Sequence, residues 1–206
     1  MRRIYLSAFL ACFALLAAAQ ETIRVNYQGA RPTISDFATA FLEAYDCYAE
    51  TEEIDEMRCP MRDVWTRHRK GEPFFENEEL LVDQKNGYIC WERLQEDDYL
   101  DRVDMCYWNE SDGKHKLFAY NVTCFKDLVY DGGQFDGIIF FRYNNATKKM
   151  TRCPAPGFQP TYMTDDGARV SYALPRTGKN LYYTEWYANG KRKEKTLKWD
   201  GRMFCF

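Results

Sequence analysis

The chain has 206 residues, 46% of them hydrophobic and 17% aromatic, with 28 Lys and Arg against 31 Asp and Glu for a formal net charge of −3. That length suits one domain, and the acidic balance argues against a nucleic-acid partner, whose phosphates call for a net basic face. No P-loop, G-x-G-x-x-G, H-E-x-x-H or G-x-S-x-G stretch occurs, so nucleotide, dinucleotide, zincin and serine-hydrolase readings drop out and no cofactor is expected.

Residues 1–19 read as a secretory signal peptide. Arg2 and Arg3 form a positive start, Ile4 to Leu16 an apolar run, and Ala17-Ala18-Ala19 a small-residue site with cleavage before Gln20. The run is shorter than the about 20 residues of a spanning helix. No later stretch qualifies, so no transmembrane segment is expected, and the location is periplasmic or extracellular. Losing two arginines takes the net charge from −3 to −5. Seven cysteines remain: Cys47, Cys59, Cys90, Cys106, Cys124, Cys153 and Cys205. Export permits disulfides, but an odd count leaves at least one thiol free or paired between chains. The spacings fit no zinc pattern. Cys90 and Cys106, beside aromatics in strand-like runs, read as small buried hydrophobes.

Residues 20–76 read as helical. Thr33 and Asp36 have capping-box spacing just after Pro32. Phe37, Ala40, Phe41, Ala44 and Tyr45 then recur at helical period. A second pattern runs through Ile54, Met57, Met61, Val64, Trp65 and His68, with a break and fresh start expected near Pro60 and an end at "KGEP".

Residues 77–206 read as an antiparallel β domain, one compact unit with the helices. From about Leu80 the period is two, and Asn86-Gly87, Asp112-Gly113, Asn144-Asn145, Asn189-Gly190 and Asp200-Gly201 punctuate it as hairpin turns. "GIIFFRY" (137–143) is the most hydrophobic strand, and "CPAPGFQP" (153–160) is a loop. Helices followed by consecutive hairpins make an α+β fold.

Asp112-Gly113 at a turn centre places Cys106 opposite Ala119, Trp108 opposite Leu117 and Glu110 opposite His115. Cys106 and His115 are then about 13 Å apart, too far to share a metal, and Cys124 projects from the other face. No metal site is expected, and Glu110 and His115 form a cross-strand pair. With three serines and two histidines after the leader, a Ser–His–Asp triad has little to draw on, and a Cys–His pair stays open. The acidic stretch "ERLQEDDYLDRVD" supplies Glu92, Asp97, Asp98, Asp101 and Asp104, enough for a glycan hydrolase if two converge, although such a connection also reads as a solvated turn. Three sequons, at Asn109, Asn121 and Asn145, double as turn and strand residues.

Two aromatic clusters remain, "YICW" (88–91) and "LYYTEWY" (181–187). Alternation puts Tyr182, Thr184 and Trp186 on one face and Tyr183, Glu185 and Tyr187 on the other. The expectation is that the second face, with Tyr88 and Trp91, is a surface that binds a polymer or protein partner. Two-residue turns at Asn189-Gly190 and Asp200-Gly201 give a terminal meander in which Tyr182, Leu197 and Phe204 form one buried row.

The stretches "VNYQGARPTISDFATAFLEA", "DQKNGY", "CYWNESDGKHKLFAY", "YNNATKKM", "LPRTGK" and "LKWDGRMF" resemble those of exported proteins of Bacteroidales bacteria that carry no known activity. The resemblance spans nearly the whole chain after the leader and implies a Gram-negative envelope or secreted location. The sequence therefore points to a non-enzymatic binding module, with a carboxylate-dependent glycan hydrolase and a small-ligand carrier as alternatives.

Overall fold

The computed structural model describes residues 21–44, 58–132 and 137–206. The leader, Cys47, Tyr45, Ile54 and Met57 lie outside the described residues. The fold is mainly antiparallel β-sheet with two helices, arranged as a helical layer, a large sheet and a small sheet.

The first described element is a strand, β1 (Thr22–Arg24), which pairs with a much later one, β8 (Lys149–Cys153). The helices are therefore not the first elements of the fold, as the sequence had suggested. Only a long-range pairing makes three residues a strand, and three residues carry no usable period. Helix α1 (Ile34–Glu43) begins at the expected capping box: Asp36 accepts from the Thr33 backbone N–H at 2.7 Å and donates its own N–H to the Thr33 hydroxyl at 3.4 Å. Helix α2 (Arg58–Lys70) carries Pro60 in its first turn, where no backbone donor is required. It ends at Gly71, whose φ of 70° lets Gly71 and Glu72 donate back to the carbonyls of His68 and Arg67. The Trp65 indole N–H donates to Thr39 at 2.9 Å and ties the two helices together.

The large sheet has the strand order β1-β8-β7-β5-β4-β3-β2. Its meander runs through β2 (Glu78–Asp83), β3 (Tyr88–Leu94), β4 (Tyr99–Asn109), β5 (His115–Lys126), β7 (Gly137–Asn144) and β8, and the short β6 (Val129–Tyr130) folds back onto the end of β5. The small sheet runs β12-β11-β10-β9, from β12 (Phe204–Cys205), β11 (Arg192–Trp199), β10 (Leu181–Trp186) and β9 (Arg169–Ala173). The large sheet is covered on both faces. Phe37 and Phe41 of α1 and Met61, Val64 and Trp65 of α2 pack on Val103, Met105, Phe118, Tyr120 and Phe141. On the other face Cys106, Trp108, Leu117, Ala119 and Phe140 meet Val170, Tyr172, Leu181, Leu197 and Phe204. A layer buried on both sides has no polar side, which is why "GIIFFRY" reads as one apolar run. The described residues of β1, α1 and α2 thus share one core with the large sheet. Among the described residues no helix is long and apolar enough to cross a membrane.

The β4–β5 register is the expected one, with Cys106 opposite Ala119 and Trp108 opposite Leu117. The terminal meander differs. Leu181, not Tyr182, faces Leu197, and Trp199 faces Phe204. Leu197 and Phe204 are buried as expected, whereas Tyr182 is 46% exposed. Cys90, Cys106, Cys153 and Cys205 are free thiols, and Cys59 is disulfide-bonded.

Candidate functional site

The residues expected to form an exposed aromatic surface do not form one. Tyr88, Trp91, Tyr183 and Glu185 are buried, and Tyr187 is half-buried. Tyr88 and Trp91 belong to the middle layer, so one projects into each core. In β10 the one-residue shift of register turns Tyr183 and Glu185 inward and Tyr182 outward. Glu185, 4% exposed, is held by the Lys195 ammonium and accepts from the Tyr187 hydroxyl at 3.0 Å. The Lys195 hydrogen bond holds its carboxyl below the usual range.

The acidic stretch divides between the two faces of the sheet and the β3–β4 turn. Asp97 and Asp98 sit exposed in that turn with φ of 58° and 60°. Asp101 is buried, accepts from Arg93 at 2.6 Å and 3.2 Å, and also takes the Cys124 thiol at 3.0 Å. Asp104, on the opposite face, is buried against Arg102 at 3.2 Å and the Tyr88 hydroxyl, and the same guanidinium reaches Glu92 at 3.0 Å. Glu92, Arg102, Tyr88 and Cys90 line a cleft of about 300 Å³ closed by Leu174 and Arg176. Burial beside Asp104 pushes both the Tyr88 phenol and the Cys90 thiol well above their ordinary values, so Cys90 is a protonated, packed side chain here. Glu92, Asp101 and Asp104 are each bound to a guanidinium, whereas a glycosidase acid must be free to hold and release a proton.

At the far end of β4 and β5, Glu110, Asp112 and His115 converge, with one oxygen or nitrogen of each lying within 4.8 Å of the others. Glu110 faces His115 as expected, its N–H donating to the His115 carbonyl at 3.1 Å, but its carboxylate goes elsewhere. Arg142 of β7 takes Glu110 with two hydrogen bonds, at 2.7 Å and 2.5 Å, and lies 3.7 Å from Asp112. Nothing in the sequence says that β7 lies beside β5, so this partner was hidden. His115 has both ring nitrogens engaged: Nδ1 lies 2.6 Å from Asp112, and Nε2 lies 3.0 Å from the Asn144 amide nitrogen. The Asn144 carbonyl accepts from the Ala146 and Thr147 N–H groups at 2.9 Å and 3.1 Å, which fixes its amide with nitrogen toward the ring. Nε2 is then the acceptor, and the ring proton sits on Nδ1 facing Asp112. A guanidinium supplies the positive charge between these carboxylates, and the imidazole has no spare nitrogen for a metal. The His115 contact and the Lys114 and His115 N–H groups bring Asp112 down to about 2.

Beside this cluster, on the helix-facing side, opens a pocket of about 430 Å³. Its outer wall is the loop between β1 and α1, with Tyr27, Ala30 and Arg31, and its inner wall is Asn109 of β4 with His115 and Lys116 of β5. Asn145 of the β7–β8 turn completes it. This turn is clipped to the β4–β5 turn by the Asn145 N–H to Lys114 at 2.9 Å and the Asn145 amide to Gly113 at 3.1 Å. Lys116 is 7% exposed. Its ammonium donates to the Asn109 side-chain carbonyl and lies 4.7 Å from the centre of the Tyr107 ring. Burial, and then the nearby Arg31 guanidinium, draw its pKa down. Sequence reasoning passed over this site. The one available signal was the β4–β5 register, which sets Asn109 opposite Lys116; the covering loop had none.

No family model, curated protein or solved structure matches the chain.

Proposed function

We propose that the protein is an exported, non-catalytic binding module whose site is the pocket at the turn end of the large sheet. One observation carries this reading. Three segments distant in sequence, two of them clipped together by hydrogen bonds between turns, enclose a polar space of about 430 Å³. Such pre-formed concave sites with a few convergent polar groups are where small ligands bind. Of the candidate carboxylates, Glu92, Asp101 and Asp104 are bound to arginines, and Asp97 and Asp98 stand exposed in the β3–β4 turn. Export rests on the leader at residues 1–19, and the ligand is a small polar molecule or one residue of a polymer.

Ala30 is exposed at the rim and lines the pocket. Ala30→Trp should fill the space while leaving the melting temperature within about 2 °C, as for a surface change worth under about 0.5 kcal/mol. Ligands found by thermal-shift screening against neutral sugars and small organic acids should lose their effect in this variant. Ligands that bind both proteins equally would place the site elsewhere.

A further inference from the structure

The pocket carries two cationic side chains that no acidic side chain among the described residues neutralises. Lys116 has a neutral amide and a ring for company, and Arg31, across from it, has no ion-pair partner. By contrast Arg142 holds Glu110, and Arg176 holds Asp83 at 2.9 Å. Glu110 also lines the pocket, but its charge is already taken by Arg142. On the same face of the sheet, directly across the β5–β7 ladder from Lys116, Tyr143 buries its hydroxyl beside the phenol of Tyr27, which lines the pocket. A buried ammonium without a counter-charge is costly, and a second cation facing it raises that cost. An anion between them removes both penalties at once.

From this we infer that the pocket binds a compact oxyanion (the carboxylate, sulfate or phosphate group of a small ligand) between the Lys116 ammonium and the Arg31 guanidinium. Asn109 and Asn145 supply amide groups for the rest of the ligand. The shared chemistry is a tetrahedral or planar oxyanion with at least two accepting oxygens, one for the ammonium and one for the guanidinium fork. The inference rests on the binding reading above and narrows it to a ligand class.

The test is titration of the ¹⁵N-labelled protein with acetate, sulfate and phosphate at constant ionic strength set by chloride, following backbone amide shifts. Saturable shifts are expected at Gly113, Lys116 and Asn145. The anion that saturates at the lowest concentration identifies the group as carboxylate, sulfate or phosphate. Lys116→Met should abolish the response, and Arg31→Gln should weaken it about tenfold, the worth of one charge-assisted hydrogen bond. Arg31 is exposed, so its variant tests the idea even if Lys116→Met fails to fold. Shifts that do not saturate, or that are equal in Arg31→Gln, overturn the oxyanion site. A neutral ligand that Ala30→Trp displaces but Arg31→Gln does not would overturn it while leaving the binding pocket intact. If nothing binds in any arm, both readings fall.

Discussion

The β4–β5 hairpin and the β10–β11 hairpin carry similar turn dipeptides, Asp112-Gly113 and Asn189-Gly190, yet the register read from the dipeptide holds for one and fails for the other. The first loop spans Ser111 to Lys114 and is closed by Glu110 donating to His115 at 3.1 Å, so the dipeptide stays central and residues face as expected. The second has three residues, Ala188 to Gly190, closed by Tyr187 donating to Lys191 at 2.9 Å, with Gly190 at φ 77°. That is the type I turn followed by a left-handed glycine, which accepts Asn-Gly as readily as the two-residue turn does. The parity of the loop decides which face is buried. An odd loop exchanges Tyr182 and Tyr183. The β11–β12 loop shows the other case: it spans Asp200 to Met203, longer than expected by two, so Phe204 keeps its face although its partner is Trp199.

The comparison can be broken by experiment, beginning with the residue on which both registers agree. Phe204 packs against Trp108 at 5.1 Å, Trp199 at 4.8 Å and Phe158 at 5.8 Å, so Phe204→Ala should cost about 3–5 kcal/mol in denaturant unfolding. A loss under about 1 kcal/mol would make β12 a loose end. Tyr183→Ala should cost about 2–4 kcal/mol, because its ring meets Tyr172 at 5.7 Å inside the core. Glu185→Gln comes next, at about 1–2 kcal/mol, through its hydrogen bonds to Lys195 and Tyr187. Tyr182→Ala should lie within about 0.5 kcal/mol, as for an ordinary surface position. Should Tyr182 prove costlier than Tyr183, the three-residue loop is wrong.

The turn that was read correctly can be probed by pH. Asp112 falls from 3.8 to about 2 on folding, so its contribution is complete above the unfolded value and is lost as pH falls from about 4 through about 2. Carbon-detected titration of the Asp112 carboxyl should show a midpoint near 2, and His115→Gln, which removes the largest cause, should raise it. An unchanged midpoint would show that the backbone N–H groups alone hold the carboxylate.

Much of the fold was legible because its signals are local. The α1 capping box, the glycine-bounded end of α2 and the alternation of β4 and β5 all lie within a few residues of the atoms they organise. The candidate site was far less legible. Asn109 opposite Lys116 followed from a register that the sequence suggested, but Arg31 arrives from a loop nearly eighty residues earlier in the chain. The Arg142 partner of Glu110 depends on β7 lying beside β5. Tyr88 and Trp91 were misplaced for a related reason: an aromatic strand looks the same whether one of its faces or both are covered.

By itself the sequence determined the two helices, the capping of α1, the strand-and-turn character of the later chain and the frame of the long hairpin, since each is set by hydrogen bonds and alternation over a short span. The tertiary structure alone decided that β1 closes the edge beyond β8, that the large sheet is buried on both faces, and that the terminal hairpin takes an odd loop. It also decided that Lys116 and Arg31 share a pocket. These outcomes depend on which distant surfaces exclude water together, and a Gly-containing turn fits two loop lengths until burial of Leu181 against Leu197 selects one.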